Sequence, residues 1–417
     1  MKRFIHILLI VLGCIATGFG GFFLAKKQMT VPVSEVATVA TPFPVTTSAT
    51  GSAADTGEDE DAATTLITFS ASGDDLINSE LYSQARGRGK KGAYDFSFCY
   101  EKVASFFKDT DINWMNQETL VTDTIPPSTY PTFSSPGAVA HALYDINFRV
   151  FNISTNHTYD QGALGLAETA KFWKSMPEDT LVTGLVKKDK YDKIPIKTVD
   201  GVKFAFLSYT YGTNGISTPS DSKTRVIFLS ETDIIKKQVK LARKKADVVV
   251  VSCHWGNEDR HEITDEQRSL AKKLTGWGAD LIIGTHPHVV QDAEWVRSGD
   301  RKAFCAYSLG NFISGQVKAD NIIGVTLSLS FEVTEDMLNE TFTVKLKDPK
   351  LIPTVTDYRS GHRDIRVYWL KDYTRELADS HGILSDDSRF NYDYIFDVLK
   401  SNISKKFLEL PKKKKKK

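Results

Sequence analysis

Only four cysteines occur among 417 residues, and Cys14 lies in a long apolar run near the N-terminus. Cys99, Cys253 and Cys305 are too few and too scattered for the disulfide framework of a small secreted domain. Cys253 and Cys305 fall in predicted core strands, where a free cysteine behaves as a small hydrophobe. Net charge is lacking too: 53 Lys and Arg against 52 Asp and Glu leave +1, which gives no global argument for nucleic acid as a partner. That balance hides an asymmetry. The lysine run at 412–417 carries +6, so the rest of the chain sums to −5. Such a run reads as a solvated tail that an anionic membrane or wall polymer could also attract. No internal repeat is visible, and residues 28–63 hold neither a strand period nor a helix period. Rich in Thr, Val, Ala, Ser and Pro and then acidic, they read as a disordered stalk.

What is present begins with the N-terminus. Lys2 and Arg3 precede an apolar run over residues 4–25, closed by Lys26 and Lys27. Such a run, as a helix, spans roughly 33 Å, enough to cross the hydrocarbon core. A cleaved signal peptide has a shorter apolar core, so residues 1–27 read as an uncleaved signal anchor and transmembrane helix. Val11-Leu12-Gly13-Cys14 faintly resembles a lipoprotein processing box, but the apolar run continues past Cys14. The expected location is the cell membrane, single-pass, with the large polar domain on the extracellular side.

From residue 64 onward, strand and helix patterns alternate. Apolar runs at 65–70, 112–115, 149–153, 247–252 and 280–283 predict strands, and 193–199 with 202–208 predict a hairpin across Asp200-Gly201. Helical spacing appears at 94–107, 136–144, 163–173, 231–245 and 265–274, and long alternating strands at 322–333 and 341–351. Continuous Val/Ile/Leu strands imply sheets covered on both faces, an α/β domain over 64–355. Residues 356–410 read as a C-terminal extension packed on it, and 411–417 as the lysine tail.

In α/β folds ligands gather at the carboxyl ends of strands. Five polar clusters sit there: Gly73-Asp74-Asp75, Asn116-Gln117-Glu118, Thr155-Asn156-His157 with Asp160, His254-Trp255-Gly256-Asn257-Glu258, and Gly284-Thr285-His286-Pro287-His288. Pro287 fixes its own φ and is expected to push His286 toward an extended conformation, so two imidazoles are presented rigidly at i and i+2. Carboxylates, an amide oxygen and imidazoles together suit Mn, Zn or Fe rather than Mg alone, and more than four candidates point to two divalent ions. His157, beside the ligand candidate Asn156, is free to donate a proton to a leaving group. Cys253 adjoins His254, but alternation along a strand sends it to the other face, where it packs. Tyr307-Ser308-Leu309-Gly310-Asn311-Phe312 adds a sixth post-strand loop in a supporting role through Asn311.

These motifs, in this order, resemble the CapA family of poly-gamma-glutamate capsule synthesis proteins, related to the calcineurin-like metallophosphatases. The likeness runs from about residue 64 to about residue 383. It implies a four-layer αββα sandwich of metallophosphatase type with the site at one edge of the sheets. It also implies metal-binding positions at Asp74, Glu118, Asn156, His254, His286 and His288, a catalytic role for His157 with Asp160, and support from Asn116, Glu258 and Asn311. Two departures stand out. The phosphatases begin with Asp-x-His, whereas Asp74 is followed by Asp75 and Leu76. Close relatives carry Asn and His where this chain has Asp75 and Asn78, which leaves Asp75 as an added ligand or a surface charge.

The resemblance implies a membrane-anchored extracellular protein of a Gram-positive bacterium, acting in capsule or cell-envelope polymer biosynthesis. One reading is a hydrolase of a phosphoester or amide, with metal-bound hydroxide as nucleophile. The alternative is a non-catalytic component that binds the anionic polymer beside membrane synthase subunits. Lys187-Lys188-Asp189-Lys190 offers a basic segment for that polymer. The retained His157, His286 and His288 favour chemistry; the missing Asp-x-His favours binding.

Overall fold

The structure, a computed structural model, describes residues 64–336 and 341–411. The expected anchor at 1–27, the stalk at 28–63 and the lysines at 412–417 lie outside the described residues. Among the described residues no helix is long and apolar enough to cross a membrane.

In chain order the strands are β1 (Thr64–Asp75), β2 (Ile112–Gln117), β3 (Val150–Asn152), β4 (Leu181–Thr183), β5 (Val186–Lys187), β6 (Ile196–Val199), β7 (Val202–Thr210) and β8 (Thr224–Arg225). They continue as β9 (Val248–His254), β10 (Leu281–Thr285), β11 (Ala293–Ser298), β12 (Arg301–Ala306), β13 (Asn311–Ile313), β14 (Ile323–Asp336), β15 (Thr341–Arg359) and β16 (Arg363–Trp369). The helices are α1 (Ser79–Arg88), α2 (Ser97–Tyr100), α3 (Ala104–Lys108), α4 (Ala138–Asp145), α5 (Gly162–Ser175), α6 (Thr232–Lys245), α7 (Asp265–Trp277), α8 (Arg375–Asp379) and α9 (Tyr392–Asn402).

Two mixed sheets carry the fold. The first runs β16-β15-β14-β1-β2-β3-β4, with β13 also paired to β1; the second runs β11-β12-β10-β9-β7-β6. In the second sheet β7, β9, β10 and β12 are parallel, and the edge strands β6 and β11 are antiparallel. The all-valine start of β9 explains its central place. β-branched side chains suit the pleated sheet, and every residue of β9 is buried. The inner faces meet through aromatic rings: Phe331 of the first sheet lies 5.1 Å from Phe204 of the second, with Phe69 of its own sheet 5.9 Å away. Burying one such side chain is worth about 1.5–3 kcal/mol.

Helices cover the two outer faces. α6 and α7 pack Val239, Ala242 and Leu274 onto Ala205, Val249, Val251 and Ile282. α3 sets Phe106 4.9 Å from Trp369 of β16. The start of α7 is fixed by a capping box, in which Gln267 N–H donates to Thr264 Oγ1 and Thr264 N–H donates to Gln267 Oε1. The helix stops at Gly278, whose φ of 132° favours glycine.

Three expectations change. The single helix over 94–107 is broken into α2 and α3 by a tight turn, in which Val103 N–H bonds Tyr100 O rather than a carbonyl four residues back. The helix α1 was not anticipated, because its polar, Gly-containing sequence shows little apolar stripe. The break expected at 355/356 falls inside β15. Its second half pairs with β16, so backbone hydrogen bonds carry the first sheet past that point. Ile395, Val398, Leu399 and Phe407 then join the same core as β1 and β14.

Candidate metal centre

Parallel register lines up two rows of side chains at the carboxyl ends of the strands. Asp74, Asn116 and Asn152 stand abreast on β1, β2 and β3. Thr210, His254 and Thr285 stand abreast on β7, β9 and β10. Glu118 follows β2 directly, and His286 and His288 follow β10. The chain crosses here at very short range. A Cβ at Gly73 would lie 1.9 Å from the Gly310 carbonyl oxygen, and one at Gly284 would lie 1.8 Å from that of Tyr307. Only glycine admits that approach, which is why these two residues open their motifs.

The rows converge. His288 Nδ1 is 3.1 Å from Asp74 Oδ2 and 3.0 Å from Asn311 Oδ1, which turns Nε2 toward Glu118 Oε1 at 3.6 Å. His254 Nε2 lies 3.9 Å from the same Glu118 oxygen and 2.9 Å from Asn156 Oδ1. Its Nδ1 is held by Thr285 Oγ1 at 2.9 Å. Donor atoms of Glu118, His286 and His288 all lie within 4.8 Å of one another, so these three could hold a metal ion. The rings of His254 and His286 are 4.8 Å apart, and those of His286 and His288 5.9 Å apart. Both Glu118 oxygens and His286 Nδ1 are buried with no hydrogen-bond partner.

The electrostatics follow from that crowding. Burial, with the Asp74 charge next, pushes the Glu118 carboxyl well above the usual carboxylate range. Burial, followed by the neighbouring imidazoles, pulls His254 and His286 well below the ordinary histidine value. Burial also pulls on His288, but the Glu118 and Asp74 carboxylates together outweigh it and hold that ring at about 10.

The backbone at the histidine pair differs from expectation. His286 and His288 adopt φ of 100° and 60°, not the extended conformation anticipated for the residue before Pro287. Two left-handed turns either side of the proline point both rings inward, and the His286 N–H faces Asp74 Oδ2 at 3.3 Å. Backbone strain of this kind gathers at functional sites.

The remaining predicted residues surround the centre in four different ways. His157 and Asp160 form a buried pair, with His157 Nδ1 2.7 Å from Asp160 Oδ2, and that oxygen also accepts from Phe133 N–H. Asn116 reaches the centre only through Asp74: its Nδ2 donates to Asp74 Oδ1 at 2.8 Å, and its Oδ1 accepts from Asn152. Asn311 holds His288 and is itself tied to Ser314, Gln316 and Asn321. Glu258 is exposed and acts on Glu118, His288 and Tyr211 through its charge.

Asp75 is neither an added ligand nor a surface charge. It is buried on the other face of the sheet, where Oδ1 accepts from Tyr100 at 2.7 Å. Burial raises it to about 7 against the lowering effect of Tyr100 and Gln117. Cys253, as expected, packs in the helix-side core. Lys187 and Lys190, with Lys193, line a separate cleft of about 370 Å³.

Sequence reasoning missed Tyr211 and Asn214. The Tyr211 ring lies 4.4 Å from His286, and Asn214 accepts from Asn156 at 3.2 Å and stands 3.4 Å from His157. Tyr211-Gly212-Thr213-Asn214-Gly215 directly follows the predicted strand β7, so the rule that found the other clusters applies to it equally.

The chain is similar to the PGA biosynthesis protein CapA of Bacillus subtilis (35% identity over 42% of this chain). It is also similar to the capsule biosynthesis protein CapA of Bacillus anthracis (35% identity over 42% of this chain). The matches cover 44% and 42% of those relatives, less than half of their length. Similar solved structures include the NAD nucleotidase of Haemophilus influenzae, with a TM-score of 0.42, 14% identity, and coverage of 83% of this chain and 57% of that one. The 5'-nucleotidase of Candida albicans aligns with a TM-score of 0.37, 12% identity, and coverage of 69% of this chain and 51% of that one. The family model for the bacterial capsule synthesis protein PGA_cap matches residues 68–316, which is more than half of the chain and includes every residue of the cluster from Asp74 to Asn311. This chain belongs to the bacterial capsule synthesis protein PGA_cap family.

Proposed function

We propose that the protein is a metal-dependent hydrolase of metallophosphatase type that cleaves a phosphoester or amide in an anionic cell-envelope polymer, with poly-gamma-glutamate first, during capsule biosynthesis. The observation that carries this reading is Glu118. A carboxylate with both oxygens buried and unpartnered is costly, and burial costs of this size are met by a paired charge or a bound cation. The unpartnered His286 Nδ1 beside it has the same need. Neither group has a hydrogen-bond partner in the protein, and the His288 charge 3.6 Å away does not offset the burial of Glu118, so the residues present fit a cation.

Asp74, Glu118, His286 and His288 would hold one ion, and His254 and Asn156 would complete a second site. The mixed oxygen and nitrogen set suits Mn, Zn or Fe. Divalent ions bound there would supply positive charge and lower the pKa of a water. The chain's own residues do the rest. Asp160 fixes the His157 ring through Nδ1, which leaves Nε2 to give a proton to the leaving group. Thr285 and Asn311 orient His254 and His288 as outer partners of ligating imidazoles do.

The names of the two Bacillus relatives support the process, and residues 4–25 would anchor the domain outside the membrane, beside synthase subunits. One feature favours a second reading, a non-catalytic polymer-binding component. Leu76 stands where the resembling phosphatases carry the histidine of Asp-x-His, and it is buried. The test separates the two: measure bound metal, and hydrolysis of a generic phosphodiester with added Mn²⁺, in wild type and His286→Ala. Metal and hydrolysis present in wild type and lost in the variant support the enzyme. A wild type with neither supports the binding component.

A further inference from the structure

We propose that Tyr211 is a substrate-contacting residue of this site, whose hydroxyl donates a hydrogen bond to a non-bridging oxygen of the tetrahedral oxyanion held at the cluster. The proposal rests on the hydrolase reading above. Tyr211 follows β7, and its N–H is fixed by the His254 carbonyl at 2.9 Å, so its position is set by the same sheet edge that sets the cluster. Its ring leans on His286 at 4.4 Å and faces His254 at 6.5 Å. Yet it is 44% exposed, while the three histidines of the cluster are 3% exposed or less. Tyr211 is therefore the wet wall of a buried centre. The same ring lines a cleft of about 520 Å³ with Leu229, Trp255 and Leu270, so one phenol borders both the solvent-filled cleft and the buried histidines.

The hydroxyl reaches toward Asn156, whose Oδ1 is already 2.9 Å from His254 Nε2 and whose Nδ2 donates to Asn214. The Asn156 contact lowers the phenol's pKa, as an amide N–H donating to its oxygen does, so among the described residues the Tyr211 O–H is given no acceptor, and a charged substrate oxygen would supply one. Hydrogen bonds to charged acceptors are about twice as strong as neutral ones. Two other roles, shielding of His286 by the ring and a hold on Asn156 by the hydroxyl, are separated from this one by experiment.

The experiment uses the full-length protein loaded with Mn²⁺, Tyr211→Phe and Tyr211→Ala, with metal content by elemental analysis and inorganic phosphate binding by calorimetry. Tyr211→Phe keeps the ring and removes only the O–H. The expected result is unchanged metal content in both variants and phosphate binding weakened about tenfold in Tyr211→Phe. Phosphate affinity equal to wild type in Tyr211→Phe overturns the inference and leaves the hydrolase reading standing. Metal content that falls in Tyr211→Phe also overturns it, because the hydroxyl would then serve Asn156. A wild type that takes up no metal overturns the hydrolase reading and this inference together.

Discussion

At its carboxyl edge the first sheet ends in oxygen donors, Asp74, Glu118 and Asn156, whereas the second ends in nitrogen donors, His254, His286 and His288. Each half is unstable in its own way. The oxygen side gathers negative charge in a buried place, and the Glu118 carboxyl is driven toward its neutral form. The nitrogen side crowds three imidazoles, two of which are driven neutral, while His288 is held charged by the carboxylates across the gap. The difference teaches that neither sheet makes a site by itself. The edge where they meet brings unlike donors within reach, and only there do they complement one another.

The comparison is broken most severely by removing a nitrogen donor. His288→Ala should reduce metal affinity by more than about a hundredfold, beyond the usual cost of losing an outer partner of a ligand. Without metal it should also lower stability, because Asp74 and Glu118 lose the charge that answers them. Metal content and chemical unfolding in chelator report both, and a variant that retains full metal content would sink the centre as drawn here.

His381 sharpens the contrast from elsewhere in the fold. It is also a buried histidine, but both of its nitrogens are partnered: Nδ1 accepts from Ile383 N–H, and Nε2 donates to the Thr356 carbonyl. Burial, more than the backbone partner, holds it down at about 4 from an ordinary 6.5. Between those values the unfolded chain binds a proton that the folded chain refuses, so stability falls as pH falls from 6.5 toward 4. The loss should reach about 3 kcal/mol at the low end. In His381→Gln, denaturant unfolding across this window should be flatter, while bound metal at neutral pH stays as in wild type. An unchanged pH slope would remove His381 as the cause.

Glu118→Gln should act in the opposite sense to His288→Ala. With metal removed, the variant should be more stable than wild type by about 1–3 kcal/mol, because burial and the Asp74 charge outweigh the His288 charge at Glu118, and that net cost is gone while His288 keeps Asp74. With Mn²⁺ added, the stabilisation seen in wild type, about 2.7 kcal/mol at a hundredfold excess over Kd, should vanish. Thermal unfolding with and without Mn²⁺ checks both signs. A less stable metal-free variant would mean that the His288 charge outweighs the cost of burying Glu118.

The smallest effect is expected next door to a ligand candidate. Cys253→Ala, one residue from His254, should cost about 1 kcal/mol of stability and leave bound metal unaltered. Loss of metal in that variant would contradict the packing role of Cys253 on the helix side of the sheet.

Much of the fold was legible because its signals are local. The valines of β9, the amphipathic α6 and the Asp200-Gly201 turn each encode their own conformation within a few residues. The five clusters were legible because polar residues after apolar runs mark strand ends. What stayed hidden had no such short-range mark. α1 has a polar sequence and depends on contacts such as Gln84 with Ile365. The left-handed backbone at His286 runs against the local preference before a proline, and it is held by the surrounding fold. Tyr211 sits in a Gly-rich loop that carries no histidine or carboxylate to mark it, although its position after a strand is informative.

The sequence by itself determined which donors exist and that each stands at the end of a strand, since alternation and apolar runs act over a few neighbouring residues. It also determined the glycines that let the chain cross so closely at Gly73 and Gly284. Only the tertiary structure decided that Asp74 faces the histidines while Asp75 turns to Tyr100, that Asn116 serves through Asp74, and that Glu118 is left without a hydrogen-bond partner. Those outcomes depend on groups as far apart as Asp74 and His288, whose separation is set by sheet packing and not by any local preference of the chain.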